Sequence, residues 1–146
     1  MKKKITLENF SCSIDLRISW GEMDAYGHVN NCNYFRYFEN SRIHYIAQMK
    51  KINSDCEQYK PILSRTSCKF IRPIYFPDNI IVGAKVEKLE LDFYTMSYGI
   101  FQEESKKCMA IGEGTVVCFD YQNKKKVNLP ESWKNAISQI EGFQED

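Results

Sequence analysis

The sequence predicts an α+β domain in which about five antiparallel strands wrap around one long helix, with a second helix at the C-terminus. Three observations predict it. Apolar residues alternate at a period of two from Ile14 to Trp20 and again through much of 62–120, as half-buried strands require. Between Asn31 and Lys51 the period lengthens to that of a helix. In Lys107 to Asp120 one face is large (Met109, Ile111, Thr115, Val117, Phe119) and the other small (Ala110, Gly112, Gly114, Val116). Glycine weakens a strand unless something must come close, so the small face predicts a helix lying tightly against it.

Taken in order, Ile14, Leu16, Ile18 and Trp20 alternate with Asp15, Arg17 and Ser19 and make the first strand. The stretch Gly21 to Asn33, rich in glycine and asparagine, breaks the alternation and reads as a loop. The helix over about 31–51 carries Phe35, Phe38, Arg42, Tyr45 and Met49 on one stripe, with Tyr34, Tyr37, Ser41 and Tyr45 beside it. Asn30 or Asn31 can cap its start, and Lys50 and Lys51 suit its negative end. Ser54 and Glu57 have capping-box spacing for a short helix, which Pro61 would stop. Strands then follow over about 62–71, 80–91, 93–103 and 107–120, with short turns near Asp92 and Ser105. They read as a four-strand antiparallel meander. Val82, Ala84 and Val86 alternate, but Leu89 and Leu91 resume on the other parity, which predicts a bulge near Glu87. Pro130-Glu-Ser-Trp opens the last helix, with Trp133, Ile137 and Ile140 at helical spacing.

The 146 residues amount to one domain, 1–146. Hydrophobic residues at 43% and charged residues at 27% are those of a soluble globular chain. A formal charge of +1 leaves no basic excess to draw it to nucleic acid, and no stretch approaches the ~20 apolar residues of a membrane span. Cys12, Cys32, Cys56, Cys68, Cys108 and Cys118 form no CxxC pair, and neither His28 nor His44 has a partner at metal-ligand spacing. No metal is expected. Nothing near Met1 resembles a secretory signal, so the thiols are expected reduced in a cytoplasm, most of them as small buried hydrophobes.

The segment that carries chemistry is Trp20-Gly-Glu-Met-Asp24-Ala-Tyr-Gly27-His28-Val-Asn30-Asn31-Cys-Asn-Tyr34, followed on the helix by Tyr37, Glu39 and Arg42. A helix N-terminus presents unpaired N–H groups and partial positive charge, suited to polarising a carbonyl. A carboxylate from the preceding loop can face it. On residue type alone Asp24 can equally organise a turn, Gly27 supplies a positive φ or a close approach, and Glu22 anchors the loop.

This segment resembles the hot-dog-fold acyl-CoA thioesterases of the 4-hydroxybenzoyl-CoA thioesterase type. Their signature is an acidic residue, then Asp-x-x-Gly-His-Val-Asn-Asn, then Tyr and Glu-x-x-Arg on the helix. The close match covers about thirty residues; beyond them the agreement is one of topology. The resemblance implies a hot-dog fold and hydrolysis of an acyl-CoA to free acid and coenzyme A without a cofactor. It places Asp24 as nucleophile or as base for water, and the Asn31 backbone N–H at the thioester oxygen. Gly27, His28 and Tyr34 would border substrate, with His28 either touching it, tuning Asp24 or bracing the loop. Glu39, an acid used by another branch of these enzymes, is better read here as an ion pair with Arg42, within the helix or across subunits. Coenzyme A phosphates need cations, and Arg65, Lys69 and Arg72 are the candidates, each equally readable as part of a solvated strand face; Lys106, Lys107 and Lys124 to Lys126, read as turn residues, are also available. The resemblance further implies a homodimer built edge to edge, often paired into a homotetramer, with the active site shared. Alternatives are the same chemistry on acyl carrier protein, or a noncatalytic acyl-binding protein; a dehydratase fits the segment less well.

Overall fold

Cys12, Ile14 and Leu16 pack on the core while Ser13, Asp15 and Arg17 face solvent, and this alternation forms β1 (Cys12–Arg17). In the computed structural model the described residues are 4–53 and 59–144. The expected extension of the strand to Trp20 does not occur. The Glu22 carboxylate accepts from the Ser19 amide at 2.6 Å and winds Trp20–Glu22 into a 3-10 turn, leaving Trp20 75% exposed.

The long helix, α1, is Asn31–Ile52. Asn30 caps it, its side-chain oxygen accepting from the Cys32 amide at 3.0 Å, and Lys50 and Lys51 occupy the last turn. Tyr34, Tyr37, Phe38, Ser41, Tyr45 and Met49 are buried, whereas Phe35 stays partly exposed. The remaining elements are β2 (Tyr59–Phe70), β3 (Asn79–Leu89), β4 (Phe93–Gln102), β5 (Cys108–Asp120), β6 (Lys125–Val127) and α2 (Glu131–Glu141). The capping-box residues Ser54 and Glu57 lie outside the described residues, as does Cys56. Pro61 sits within β2 opposite Cys118.

The strands form one antiparallel sheet in the order β1-β3-β4-β5-β2, with β6 paired to the end of β5. β3, β4 and β5 are the expected meander. β2 is not part of it: it lies on the far side of β5, because the link 71–78, with Pro73 and Pro77, is too long and too stiff to close a hairpin onto β3. β2 is therefore an edge strand, where the missing N–H of Pro61 is tolerated. Lys125 and Lys126, expected in a turn, belong to β6; only Lys124 keeps the turn, at φ 53°. The bulge near Glu87 is present as a register shift between Val86 and Lys88.

The sheet wraps α1 as the small face of β5 predicts. A Cβ on Gly112 would overlap the ring of Phe38, which itself stacks on Tyr98 at 4.9 Å between centroids. The stripe is only half beneath the helix, since Gly114 meets Tyr98 and Leu63 instead. α1 packs mainly on β1, β3 and α2, and the concave side of β5 and β2 is less covered. α2 starts after Pro130, buries Trp133, Ala136 and Ile137, and stops at Gly142, φ 73°. Its last residue, Glu141, accepts from the Tyr45 hydroxyl at 2.5 Å, from Ser11 at 2.8 Å and from the Val86 amide at the bulge at 3.0 Å. One carboxylate thus joins α1, α2 and β3. No helix among the described residues is long and apolar enough to cross a membrane.

Candidate functional site

The loop between β1 and α1 is built around the Asp24 side chain. Its Oδ1 accepts from the Tyr26 amide at 2.8 Å and lies 3.4 Å from the His28 amide. On the backbone, the Gly27 amide donates to the Asp24 carbonyl at 3.2 Å and the Asp24 amide to the His28 carbonyl at 2.8 Å. Gly27 closes this turn at φ +86°, a conformation that side-chain-bearing residues rarely adopt. Asp24 therefore organises the turn, as its residue type allows, and a Met23–Val29 bridge seals the loop's base. The other oxygen, Oδ2, stands 3.2 Å from His28 Nδ1, so the imidazole braces the carboxylate when that nitrogen carries the proton. The Asp24 side chain is 21% exposed and that of His28 37%. The carboxylate is held by its own loop yet open to an incoming molecule.

Glu22 fastens this loop to the helix. Its carbonyl accepts from the Asn30 amide at 2.9 Å and from the Asn33 side chain at 3.0 Å, while its carboxylate holds the Ser19 amide. The reading of Glu22 as a loop anchor holds. The Asn30 side chain and carbonyl take the Cys32 and Asn33 amides, so the Asn31 amide stands at the helix mouth with no acceptor among the described residues. Asp24 and the start of α1 are thus neighbours in one chain, with partial positive charge beside a carboxylate.

Behind them, Tyr34 is buried with its ring edge-on to Phe70 at 4.8 Å. Burial first, and then the nearby Asp24 charge among smaller causes, raises its hydroxyl pKa, against the lowering effect of a backbone hydrogen bond at Ile74. Among the described residues the buried Tyr37 hydroxyl has no hydrogen-bond partner in good geometry, although burial and the facing Glu22 carboxylate push its pKa strongly up. The link 71–78 closes the floor, the Val29 amide donating to the Ile74 carbonyl at 2.8 Å. Residue spacing missed two parts of this site: Tyr26, 87% exposed and stacked on His28 at 6.4 Å, and the Ile74 link. An aspartate two residues before Tyr26 was a signal for the first; nothing local announces the second.

The cations are not gathered at Asp24. Arg65 and Lys69 are exposed on β2, opposite Thr115 and Ile111. Arg72, just past β2, donates to the Cys108 carbonyl at 2.5 Å and borders a depression of about 770 Å³ with Lys4, Lys106 and Lys107. Glu39 reaches Arg42 of the same helix only at 4.0 Å, while Arg42 donates to the Tyr98 hydroxyl at 3.1 Å. Cys12, Cys32, Cys68 and Cys108 are free thiols, Cys118 is the one described cysteine that is buried, and among the described residues no three His, Cys, Asp or Glu side chains gather as metal ligands.

Comparison with known proteins bears on the family and the fold. A family model described as the thioesterase-like superfamily matches residues 18–137. A provisionally named esterase of Aquifex aeolicus is 27% identical over 117 residues, 79% of this chain and 88% of that one. A Thermus thermophilus thioesterase, solved with coenzyme A and zinc, superposes with a TM-score of 0.81 at 23% identity, covering 94% of this chain and 98% of that one. A 1,4-dihydroxy-2-naphthoyl-CoA thioesterase from Synechocystis superposes with a TM-score of 0.76 at 20% identity, over 88% and 96% of the two chains. At these identities the superpositions speak for the hot-dog fold.

Proposed function

From the premise that this chain belongs to the thioesterase-like superfamily and is a thioester hydrolase, we propose that it hydrolyses acyl-CoA through Asp24. The carbonyl oxygen of the thioester sits at the start of α1, where the Asn31 amide and the helix dipole stabilise the oxyanion. Asp24 acts in one of two ways. As base it takes a proton from water, whose oxygen bonds to the acyl carbon as the C–S bond breaks and the thiolate takes up a proton. As nucleophile it bonds to the acyl carbon itself, expels the thiolate, and leaves a mixed anhydride that water cleaves. Either way the products are a free acid and coenzyme A, and no cofactor takes part.

The observation that carries this reading is the Asp24 carboxylate, anchored on one side by backbone amides and open on the other, beside an uncommitted helix amide. Gly27, His28 and Tyr34 border substrate in this reading. For the coenzyme A phosphates, the depression lined by Arg72, Lys4, Lys106 and Lys107 supports Arg72 most directly, with Lys69 and Arg65 extending the same strand's positive charge. The free edge of β2 and the thinly covered face of β5 and β2 support assembly into a dimer, and through it a tetramer, that completes the site. Free-thiol release from short, long and aryl acyl-CoA thioesters, run beside acyl carrier protein thioesters, tests the reading. Turnover of at least one coenzyme A ester is expected; activity confined to carrier protein, or none on any thioester, would overturn it.

A further inference from the structure

The second turn of α1 buries a hydroxyl. Tyr37 is 3% exposed, and among the described residues its hydroxyl has no hydrogen-bond partner in good geometry. A phenylalanine, as at the neighbouring Phe38, would fill buried space without the cost of taking a hydroxyl out of water. A tyrosine at this position therefore calls for a counterpart to its hydroxyl.

Glu22 stands opposite it. The Asn33 side chain donates to the Glu22 carbonyl at 3.0 Å and the Asn30 amide to the same carbonyl at 2.9 Å, so Glu22 is seated on the first turn of α1. Tyr37 lies four residues past Asn33, on the same face one turn on. Long helical side chains lean back toward the N-terminus, which carries its ring toward Glu22. Glu22 is the charge that faces the hydroxyl, and Tyr34 is its other titratable neighbour. One oxygen of the Glu22 carboxylate already takes the Ser19 amide at 2.6 Å, and among the described residues no donor is bonded to the second.

We propose that Tyr37 is a positioning residue for the hydrolysis: its hydroxyl donates to the second oxygen of the Glu22 carboxylate and so fixes where the mouth of α1 stands relative to Asp24. Only a few contacts separate the two. With its carboxylate held, Glu22 keeps its carbonyl on the Asn30 amide and the Asn33 side chain; Asn30, turned by that bond, caps the Cys32 amide and leaves the Asn31 amide beside Asp24. A phenol bonded to a buried carboxylate is a charge-assisted contact, strong enough to hold one orientation. Tyr37 touches no substrate in this role, which rests on the reading of Asp24 and the Asn31 amide as the reacting groups.

Tyr37→Phe removes the hydroxyl alone and tests it in the whole chain. Free-thiol release from an acyl-CoA should show kcat about tenfold lower at unchanged KM, the loss of one charge-assisted bond. Hydrogen exchange read by mass spectrometry should show the Ser19 and Asn30 amides, both held by Glu22, exchanging faster while amides of β4 keep their protection. In the Glu22→Gln background, where the one carbonyl oxygen stays with the Ser19 amide, Tyr37→Phe should lower kcat little further. Unchanged exchange at Ser19 and Asn30, unchanged kcat, a rise in KM alone, or a full tenfold fall in the Glu22→Gln background would each overturn the proposal. Asp24→Asn keeps the two failures apart. Full turnover by that variant would overturn the catalytic reading, whereas exchange at Ser19 and Asn30 in Tyr37→Phe decides the contact with Glu22 whichever residue attacks.

Discussion

His28 holds Asp24 from two directions: its Nδ1 lies 3.2 Å from one carboxylate oxygen and its own amide 3.4 Å from the other. A side chain and a backbone group of one residue thus fix both oxygens of the acid four positions earlier. The turn closed by Gly27 makes this possible, since only a tight reversal returns residue 28 to face residue 24.

Asp24→Asn separates the turn from the chemistry. The amide oxygen can still accept from the Tyr26 and His28 amides, so the loop should keep its shape and the melting temperature should change little. The charge that the proposed mechanism uses is gone, and kcat should fall by about two to four orders of magnitude. Circular dichroism melts and free-thiol release check the two halves. Near-normal turnover would remove Asp24 from the mechanism.

In the proposed mechanism His28 acts on Asp24 rather than on the bond being cut, which would make it a positioning residue. His28→Ala should lower kcat about tenfold with little change in KM. His28→Asn carries an N–H near the position of Nδ1 and should restore most of the loss. If alanine and asparagine behave alike, the brace plays no part in turnover.

Gly112 tests the packing that sets the helix. An added methyl group must displace the Phe38 ring, and that ring is pinned against Tyr98. Gly112→Ala should therefore cost about 1–3 kcal/mol of stability. Pairing it with Phe38→Leu should give a loss smaller than the sum of the two single changes, measured by urea unfolding.

Thiol reactivity should sort by burial. Burial pushes the Cys68 thiol up to about 11, and it raises those of Cys12 and Cys108 as well. Only the thiolate alkylates, and at pH 8 a thiol of pKa 11 is about one-thousandth ionised. Cys32 is exposed on the first turn of α1. Iodoacetamide at pH 8 followed by peptide mass mapping should label Cys32 well before Cys68, Cys12 and Cys108, and the gap should narrow as pH rises toward 11. Early labelling of Cys68 would contradict the burial.

What was legible in the sequence was mostly local. The period of two, the helical stripe from Tyr34 to Met49 and the parity change near Glu87 each depend on neighbours a few residues away; the last two stand in the structure, and the first holds through Arg17 but not on to Trp20. The small face of β5 also led correctly to the Gly112–Phe38 contact, because a glycine in a strand points at its neighbour. The placement of β2 was not legible. Nothing in 59–70 distinguishes an edge beside β5 from one beside β3, and only the length of the 71–78 link argued against a hairpin. In the site, Asp24, Gly27 and His28 came from one contiguous motif. The Val29–Ile74 and Tyr34–Phe70 contacts join distant segments and have no pattern of their own.

The misplaced strand also sharpens the expectation of assembly. β2 spans twelve residues along a sheet edge, and an edge of that length leaves a row of backbone groups open to pairing. α1 packs mainly on β1 and β3, so among the described residues β5 and β2 are the less covered part of the sheet. A second copy related by a twofold axis would pair β2 with β2 and lay its own α1 alongside. Phe70, at the end of that edge, touches Tyr34 beside the Asp24 loop, so the partner would border the site. Sedimentation at micromolar concentration should show a dimer or tetramer. Thr66→Pro, which removes an amide on the open side of β2 and leaves the ladder to β5 in place, should shift the population toward monomer and lower activity together. A stable monomer that turns over at the full rate would show that each chain's site is complete without a partner.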